Sequence, residues 1–212
     1  MIPLVAVLIP IYAMQYNAMQ DPDEMYIGNT NCSAAAKKFH PHSTGMSCGV
    51  ATHAEERLQM ALWAMASAPL FMSTDVRNMS ASSRAILQNK RLIAINQDPL
   101  GRMPFRYFAD PASGLQLWRK ELVGGDVAVA AVNMADTNLT AGAATLQLLE
   151  VGFSTDTRVA VVDCYTGEAL GWFTRSFTVD AVIPPHGVFV YRLSYSPQYT
   201  SMSEAGAHGA EL

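Results

Sequence analysis

The sequence predicts an α/β segment with the rhythm of a β/α barrel, followed by an all-β antiparallel sandwich. Three observations support this. Between residues 52 and 98 the pattern runs helix, strand, helix, the alternation from which parallel barrels are built. Past residue 99 there are only short runs rich in β-branched and aromatic residues, separated by Gly and Asp/Asn turn signals. Half of the 212 residues are hydrophobic (50%), so a sizeable core is available. We set the parts at 1–98 for the barrel-like segment, 99–193 for the sandwich, and 194–212 for a tail. The tail has few apolar residues and is expected to stay disordered.

The chain opens with the apolar run Ile2 to Met14. It falls short of the ~18–20 residues that span a bilayer, and Pro3 and Pro10 count against a membrane helix. It has the apolar middle of a secretory leader but lacks a basic start and a small-x-small cleavage site. A buried strand and a mis-joined exon are the competing readings. Next comes Met19-Gln20-Asp21-Pro22-Asp23-Glu24-Met25-Tyr26-Ile27-Gly28-Asn29. Pro22 fixes its own φ and pushes Asp21 out of the helical region. Residues two apart on the resulting extended segment point to one side. Asp21 and Asp23 then stand together at the end of a strand, where α/β barrels keep their chemistry. An exposed turn is the plain alternative for such a triplet. Gly28 permits a tight turn, and Asn29 is expected to bond its own backbone.

Residues 30–51 read as a loop. They contain Cys32 and Cys48, and Cys164 makes the cysteine count odd, so at least one thiol is free or intermolecular. A Cys32–Cys48 bridge would contribute ~3 kcal/mol by loop entropy. His40 and His42 lie between the two cysteines, but the spacing fits no common zinc pattern, and no metal or other cofactor is expected. Asn31-Cys32-Ser33, Asn78-Met79-Ser80 and Asn138-Leu139-Thr140 fit the N-glycosylation acceptor pattern, which supports a secreted or lysosomal route.

Thr52-His53-Ala54-Glu55 has the form of a capping box. Leu58, Ala61, Leu62 and Met65 then recur at helical spacing. Pro69 bars continuation, which gives a helix over 53–67. Pro69 to Ser73 reads as a buried parallel strand, with Met60, Met65 and Met72 as core positions. Asp75 and Arg77 at its end are expected to form a structural ion pair beneath the site, with contact to substrate as the alternative. Ser80 or Ser82 caps a second helix through Asn89, with Ala85, Ile86 and Leu87 inward. The sandwich strands are expected at 115–118, 127–132, 145–149, 158–164, 173–179 and 188–193. His186 sits at a turn after Pro184-Pro185, has no acidic neighbour in sequence, and reads as structural. The net charge is −4 and no basic patch is present, so nucleic acid is not an expected partner.

Five ordered blocks carry a resemblance: D-P-D…I-G-N at 21–29, M-A-L-W-A at 60–64, A-P-L-x-M-S-x-D-x-R at 68–77, I-L-Q-N at 86–89 and I-N-Q-D-P-L-G at 95–101. Together with Ile183-Pro184-Pro185-His186-Gly187-Val188, they make the chain resemble the C-terminal half of glycoside hydrolase family 27. That family contains the α-galactosidases and α-N-acetylgalactosaminidases. The resemblance spans roughly residues 21–193. It implies the last two β/α units of a (β/α)8 barrel before the sandwich, an α-galactoside or related glycan as substrate, and a homodimer in the full-length form. It also makes the 30–51 loop an insertion, either shaping the pocket or lying as a surface excursion.

By the same resemblance Asp23 contacts sugar hydroxyls and Asp21 supports it. Glu24, the third residue of this substrate-binding set, stands where the family usually has Met, and Met19-Gln20 stand where it has Trp-Asn. Retaining glycosidases need a nucleophile and an acid/base about 5–5.5 Å apart. In the family both come from earlier strands, and the twenty residues before Asp21 match nothing there. The expectation is therefore the last part of an enzyme that lacks its catalytic pair. The alternatives are a non-catalytic sugar-binding or structural module, and an interaction protein completed by a separate chain.

Overall fold

The computed structural model describes residues 24–28 and 51–195. Asp21, Asp23, Asn29, Asn31, Cys32, His40, His42, Cys48, the apolar run at 2–14 and the tail after 195 lie outside the described residues. So does all but the end of the 30–51 loop.

Helix α1 (His53–Met65) starts at the expected capping box: the Thr52 hydroxyl accepts from the Glu55 amide, and the Glu55 carboxylate accepts from the Thr52 amide at 2.7 Å. It stops two residues short of the expected end, and Ser67 turns the chain with φ 51°. Its apolar face is fully buried, with Leu58, Met60, Ala61, Trp63 and Ala64 at 1% exposure or less. Helix α2 (Ala81–Leu87) is capped by Ser80. Ile86 is buried and Leu87 packs on the core, but Ala85 faces solvent, contrary to expectation. At Asn89 the chain starts a further helix that periodicity had not revealed, α3 (Lys90–Asn96), whose first amides bond the Asn89 side chain.

The apolar run at 69–73 departs most from expectation. It forms a single parallel bridge, Met25 with Met72, made by Met25 N–H to Phe71 O (2.7 Å) and Ser73 N–H to Met25 O (2.9 Å). Phe71 and Met72 are 64% and 52% exposed, so neither is a core residue. A run of this kind is buried when strands flank it on both sides. Among the described residues, Met25 is its only strand neighbour.

The second half is the antiparallel sandwich. A six-stranded sheet runs β1 (Phe105–Ala109), β2 (Leu115–Glu121), β3 (Val127–Asn133), β8 (Val188–Ser194), β5 (Val159–Asp163), β6 (Ala169–Phe173), with every pair antiparallel. A two-stranded sheet, β4 (Thr145–Gln147) with β7 (Ser176–Thr178), covers one of its faces. The edge strands β1 and β6 were not foreseen: a bulge interrupts β1 at Tyr107, and Gly171 lies inside β6. The expected strand at 145–149 ends at Gln147. Leu148–Val151 instead make one helical turn (α4) that buries Leu148 and Val151, and Gly152 stops it with φ 118°. The expected strand at 173–179 is broken by Arg175, whose φ is 71°.

Strand β3 is buried on both faces. Val127, Val129 and Ala131 face β4 and β7, whereas Ala128, Ala130 and Val132 face α1 and its neighbours. Small side chains on the helix side let α1 approach the sheet closely. Lys120 reaches across this contact from β2. It is 1% exposed, and its ammonium donates to Ala64 O (3.1 Å), Ile95 O (2.6 Å) and the Ser67 hydroxyl (2.7 Å). Ala64 and Ile95 lie in the last turns of α1 and α3, where carbonyls lack helical partners and a cation is favoured.

Burial pushes the Lys120 ammonium down from 10.5 to about 8, against the attraction of Asp98. Between those values the unfolded chain holds a proton that the folded chain has released, so this group makes stability rise with pH from about 8 to 10.5. Below that window its contribution is constant. Lys120→Met leaves the Ala64 and Ile95 carbonyls and the Ser67 hydroxyl without this donor, so it should cost about 1–3 kcal/mol, and it should flatten the rise. Urea unfolding at a series of pH values tests both. A variant as stable as the parent would show that the ammonium contributes nothing.

Candidate functional site

Of the expected substrate-binding residues, Glu24 alone is described, and it is exposed. Asp21 and Asp23 lie outside the described residues, immediately upstream of it. What the structure does show is the frame holding the segment that follows them. Met25 and Ile27 are each 1% exposed and sit in the core beneath α1. The Met25–Met72 bridge sets this segment beside the Pro69–Ser73 run, in parallel.

Two side chains of α1 then take up two further amides of the segment. Tyr26 N–H donates to Gln59 Oε1 at 2.9 Å, and Gly28 N–H donates to Glu56 Oε1 at 2.7 Å. The Ser83 hydroxyl of α2 lies 3.0 and 2.9 Å from the two Glu56 carboxylate oxygens. Glu56 and Gln59 are 8% and 6% exposed. A buried carboxylate is tolerated only when its oxygens are bonded, as here. Gly28 has φ +79°, and a Cβ there would stand 2.9 Å from Met79 Cγ, so the turn requires glycine twice over.

Sequence reasoning missed Glu56 and Gln59. Their signal was available: two polar residues three apart, on the stripe that continues through Met60 and Trp63. Such a pair on a core-facing stripe needs buried partners, and the partners are the amides after the two aspartates.

Asp75 and Arg77 do pair, and the pair is exposed. Arg77 Nε and Nη2 donate to Asp75 Oδ1 and Oδ2 at 2.8 and 2.9 Å, and the side chains are 87% and 53% exposed for Arg77 and Asp75. The Arg77 fork holds the Asp75 carboxyl down to about 2. His186 also departs from expectation, because folding brings it two acidic neighbours. Its Nδ1 is 3.3 Å from Glu55 Oε1 and its Nε2 is 3.1 Å from Asp136 Oδ1. Burial works against the Glu55 carboxylate, but bonds from Thr52 and the nearby His186 outweigh it and lower its pKa. His186 thus bridges the start of α1 to the sandwich, which is a structural role. Cys164 is free and buried. Among the described residues no cluster of three His, Cys, Asp or Glu side chains is placed to hold a metal, and no helix is long and apolar enough to cross a membrane.

Comparison with known proteins matches two family models in chain order. Alpha galactosidase A matches residues 45–98, and Alpha galactosidase C-terminal beta sandwich domain matches residues 112–193. The α-N-acetylgalactosaminidase of Gallus gallus is 31% identical over 82% of this chain and 37% of that protein. Alpha-galactosidase A of Homo sapiens is 38% identical over 53% of this chain and 21% of that protein. The solved structure of an α-galactosidase from Saccharomyces cerevisiae with raffinose has a TM-score of 0.64, covering 82% of this chain and 46% of that one. At 20% identity this likeness concerns the fold alone. The chain spans less than half the length of each of these proteins.

If Glu56 holds the segment after Asp23, Glu56→Ala should cost about 2 kcal/mol through the unpaired Gly28 amide and Ser83 hydroxyl. It should also speed exchange of the Gly28 and Tyr26 amides relative to those of β3. Unchanged exchange at Gly28 in that variant would show that the contact does not hold the segment.

Proposed function

The chain belongs to glycoside hydrolase family 27, matching its C-terminal portion, and on that premise we propose a retaining glycosidase. It would act on terminal non-reducing α-D-galactosyl or α-N-acetylgalactosaminyl residues. The reading rests on one observation above the rest. Two family models match in order, and the structure sets the Met25 segment, which follows Asp23, in parallel beside the Pro69–Ser73 run.

In this reading Asp23 accepts hydrogen bonds from two sugar hydroxyls, a charge-assisted contact stronger than a neutral one. Asp21 supports it, and Glu24 lines the pocket where the family has an apolar wall. Glu56 and Gln59 keep the strand exit in place. The nucleophile and acid/base must flank one glycosidic bond. On the sequence reading Asp21 and Asp23 stand two apart on one extended segment and would face one way, so they would hold hydroxyls without flanking that bond. We therefore assign the catalytic pair to residues outside this sequence, and with it the choice between galactose and N-acetylgalactosamine. Relatives of both kinds, an α-N-acetylgalactosaminidase and an α-galactosidase, match the chain. We further propose a secreted or lysosomal protein that is homodimeric in its full-length form, with the division between barrel segment and sandwich at residues 98–99.

Two assays test this. The 212-residue chain alone should not hydrolyse p-nitrophenyl α-galactoside or the N-acetylgalactosaminide above background. Turnover that disappears on Asp23→Asn would overturn the assignment of the catalytic pair. A chimera in which residues 21–212 replace the corresponding part of the Gallus gallus enzyme should hydrolyse one of the two substrates. Asp23→Asn in that chimera should raise KM and lower kcat/KM by tenfold or more, the loss of about 1.4 kcal/mol of transition-state binding. A folded chimera without activity, or one indifferent to Asp23→Asn, contradicts the reading.

A further inference from the structure

The five described asparagines divide into two groups. Asn89, Asn96 and Asn133 are not in acceptor triplets, and each spends its side-chain amide on the fold. Asn89 Nδ2 donates to Cys164 O at 2.9 Å. Asn96 Nδ2 donates to Trp63 O (3.1 Å) and Ala68 O (2.8 Å). Asn133 Nδ2 lies within 3.0 Å of Thr137 O, Ile183 O and Pro184 O. The other two, Asn78 and Asn138, stand in Asn-Met-Ser and Asn-Leu-Thr triplets. Both are exposed, and neither side-chain amide has a hydrogen bond among the described residues.

The surroundings of these two suit a large substituent. Asn78 ends a short 3-10 turn after the Asp75–Arg77 pair, with exposed Val76 and Arg77 beside it. The next residues anchor it from below: Met79 packs on Gly28, and Ser80 caps α2. Asn138 is exposed and follows the bend at residues 135–137. The following Leu139 is buried and doubly bonded to Ile183, with both N–O distances 3.0 Å. At each position the chain is fixed on the far side of an exposed asparagine whose side chain makes no hydrogen bond among the described residues.

We propose that Asn78 and Asn138 are N-glycosylation sites. The oligosaccharide would come from a lipid-linked pyrophosphate donor. Asparagine Nδ2 forms the bond to sugar C1 and gives up one proton, and the C1–oxygen bond to the pyrophosphate breaks, releasing the lipid pyrophosphate. A glycan at Asn78 stands on the loop that follows the Met72 run. One at Asn138 stands on the sandwich, two residues from the Asp136 that meets His186. Neither position buries any part of the sugar, so the modification adds bulk and solubility without perturbing a contact.

The test is peptide mapping of the protein purified from its own cells, with and without peptide-N-glycosidase in heavy-oxygen water. Peptides containing residues 78 and 138 should appear only after the enzyme, each with Asn converted to labelled Asp. Peptides containing Asn89, Asn96 and Asn133 should be the same in both samples. Recovery of the 78 and 138 peptides as unmodified asparagine overturns the proposal, and recovery of one of them unmodified overturns it for that site. A second arm secretes the full chain from a eukaryotic host. Asn78→Gln and Asn138→Gln should each remove one glycan from the intact mass, and a mass unchanged by the double substitution counts against both sites. Glutamine leaves the Ser80 cap in place, so a folding defect does not mimic the result.

Discussion

Lys120 is the constraint on which the arrangement of the two halves depends. A lysine that is 1% exposed must bond all three of its protons, and the oxygens it finds belong to α1, α3 and the turn at Ser67. Its backbone belongs to β2. One buried side chain therefore closes the ends of two helices from within the sandwich sheet. If the helices slid along the sheet by one turn, the charge would be stranded, and that costs more than loss of an apolar contact. The register between helix and sheet is thus specified, not merely favourable.

Further contacts fix the same interface along the length of α1. At its start Glu55 meets His186. Two residues later the Arg57 guanidinium lies 3.9 Å from the Tyr165 ring centroid, and the Tyr165 hydroxyl donates to Arg57 O. At the junction of α2 and α3, Asn89 donates to Cys164 O. Between these polar points the contact is apolar, with Trp63 and Leu92 against Trp118, Ala128, Ala130 and Val190 in one continuous core. Helix α1 therefore has two loaded faces. One is held by the sandwich, and the other presents Glu56 and Gln59 to the segment after Asp23. The consequence for function is indirect but physical: the sandwich holds the helix, and the helix holds the strand exit.

Much of this was legible in the sequence. The capping box at Thr52 and Glu55, the stop before Pro69 and the β-rich runs of β3 and β8 each depend on local chemistry that a short window displays. Other features were not. Helix α3 has seven residues, too few to establish a period, and only Asn89 marks its start. Strands β1 and β6 are edges with a bulge and a glycine, so their alternation is broken where it would be read. The 69–73 run looked like core because its composition is apolar, but exposure is decided by neighbours that a window does not contain. His186 gained its carboxylates from positions 50 and 131 residues away in the chain, and no spacing rule connects them. At the proposed site, motif order singled out Asp21 and Asp23, which lie outside the described residues. Glu56 and Gln59 were missed because polar residues on a helix default to solvent.

Through the Lys120 interface, α1 and the sandwich form one cooperative unit. Native-state hydrogen exchange measures this most directly, because it reports the opening free energy of each amide separately. Amides of α1 between Leu58 and Met65 should open with the same free energy as those of β3, and both should respond equally to denaturant. If the α1 amides exchange through an opening several kcal/mol cheaper than that of β3, the helix is only resting on the sheet and the account fails.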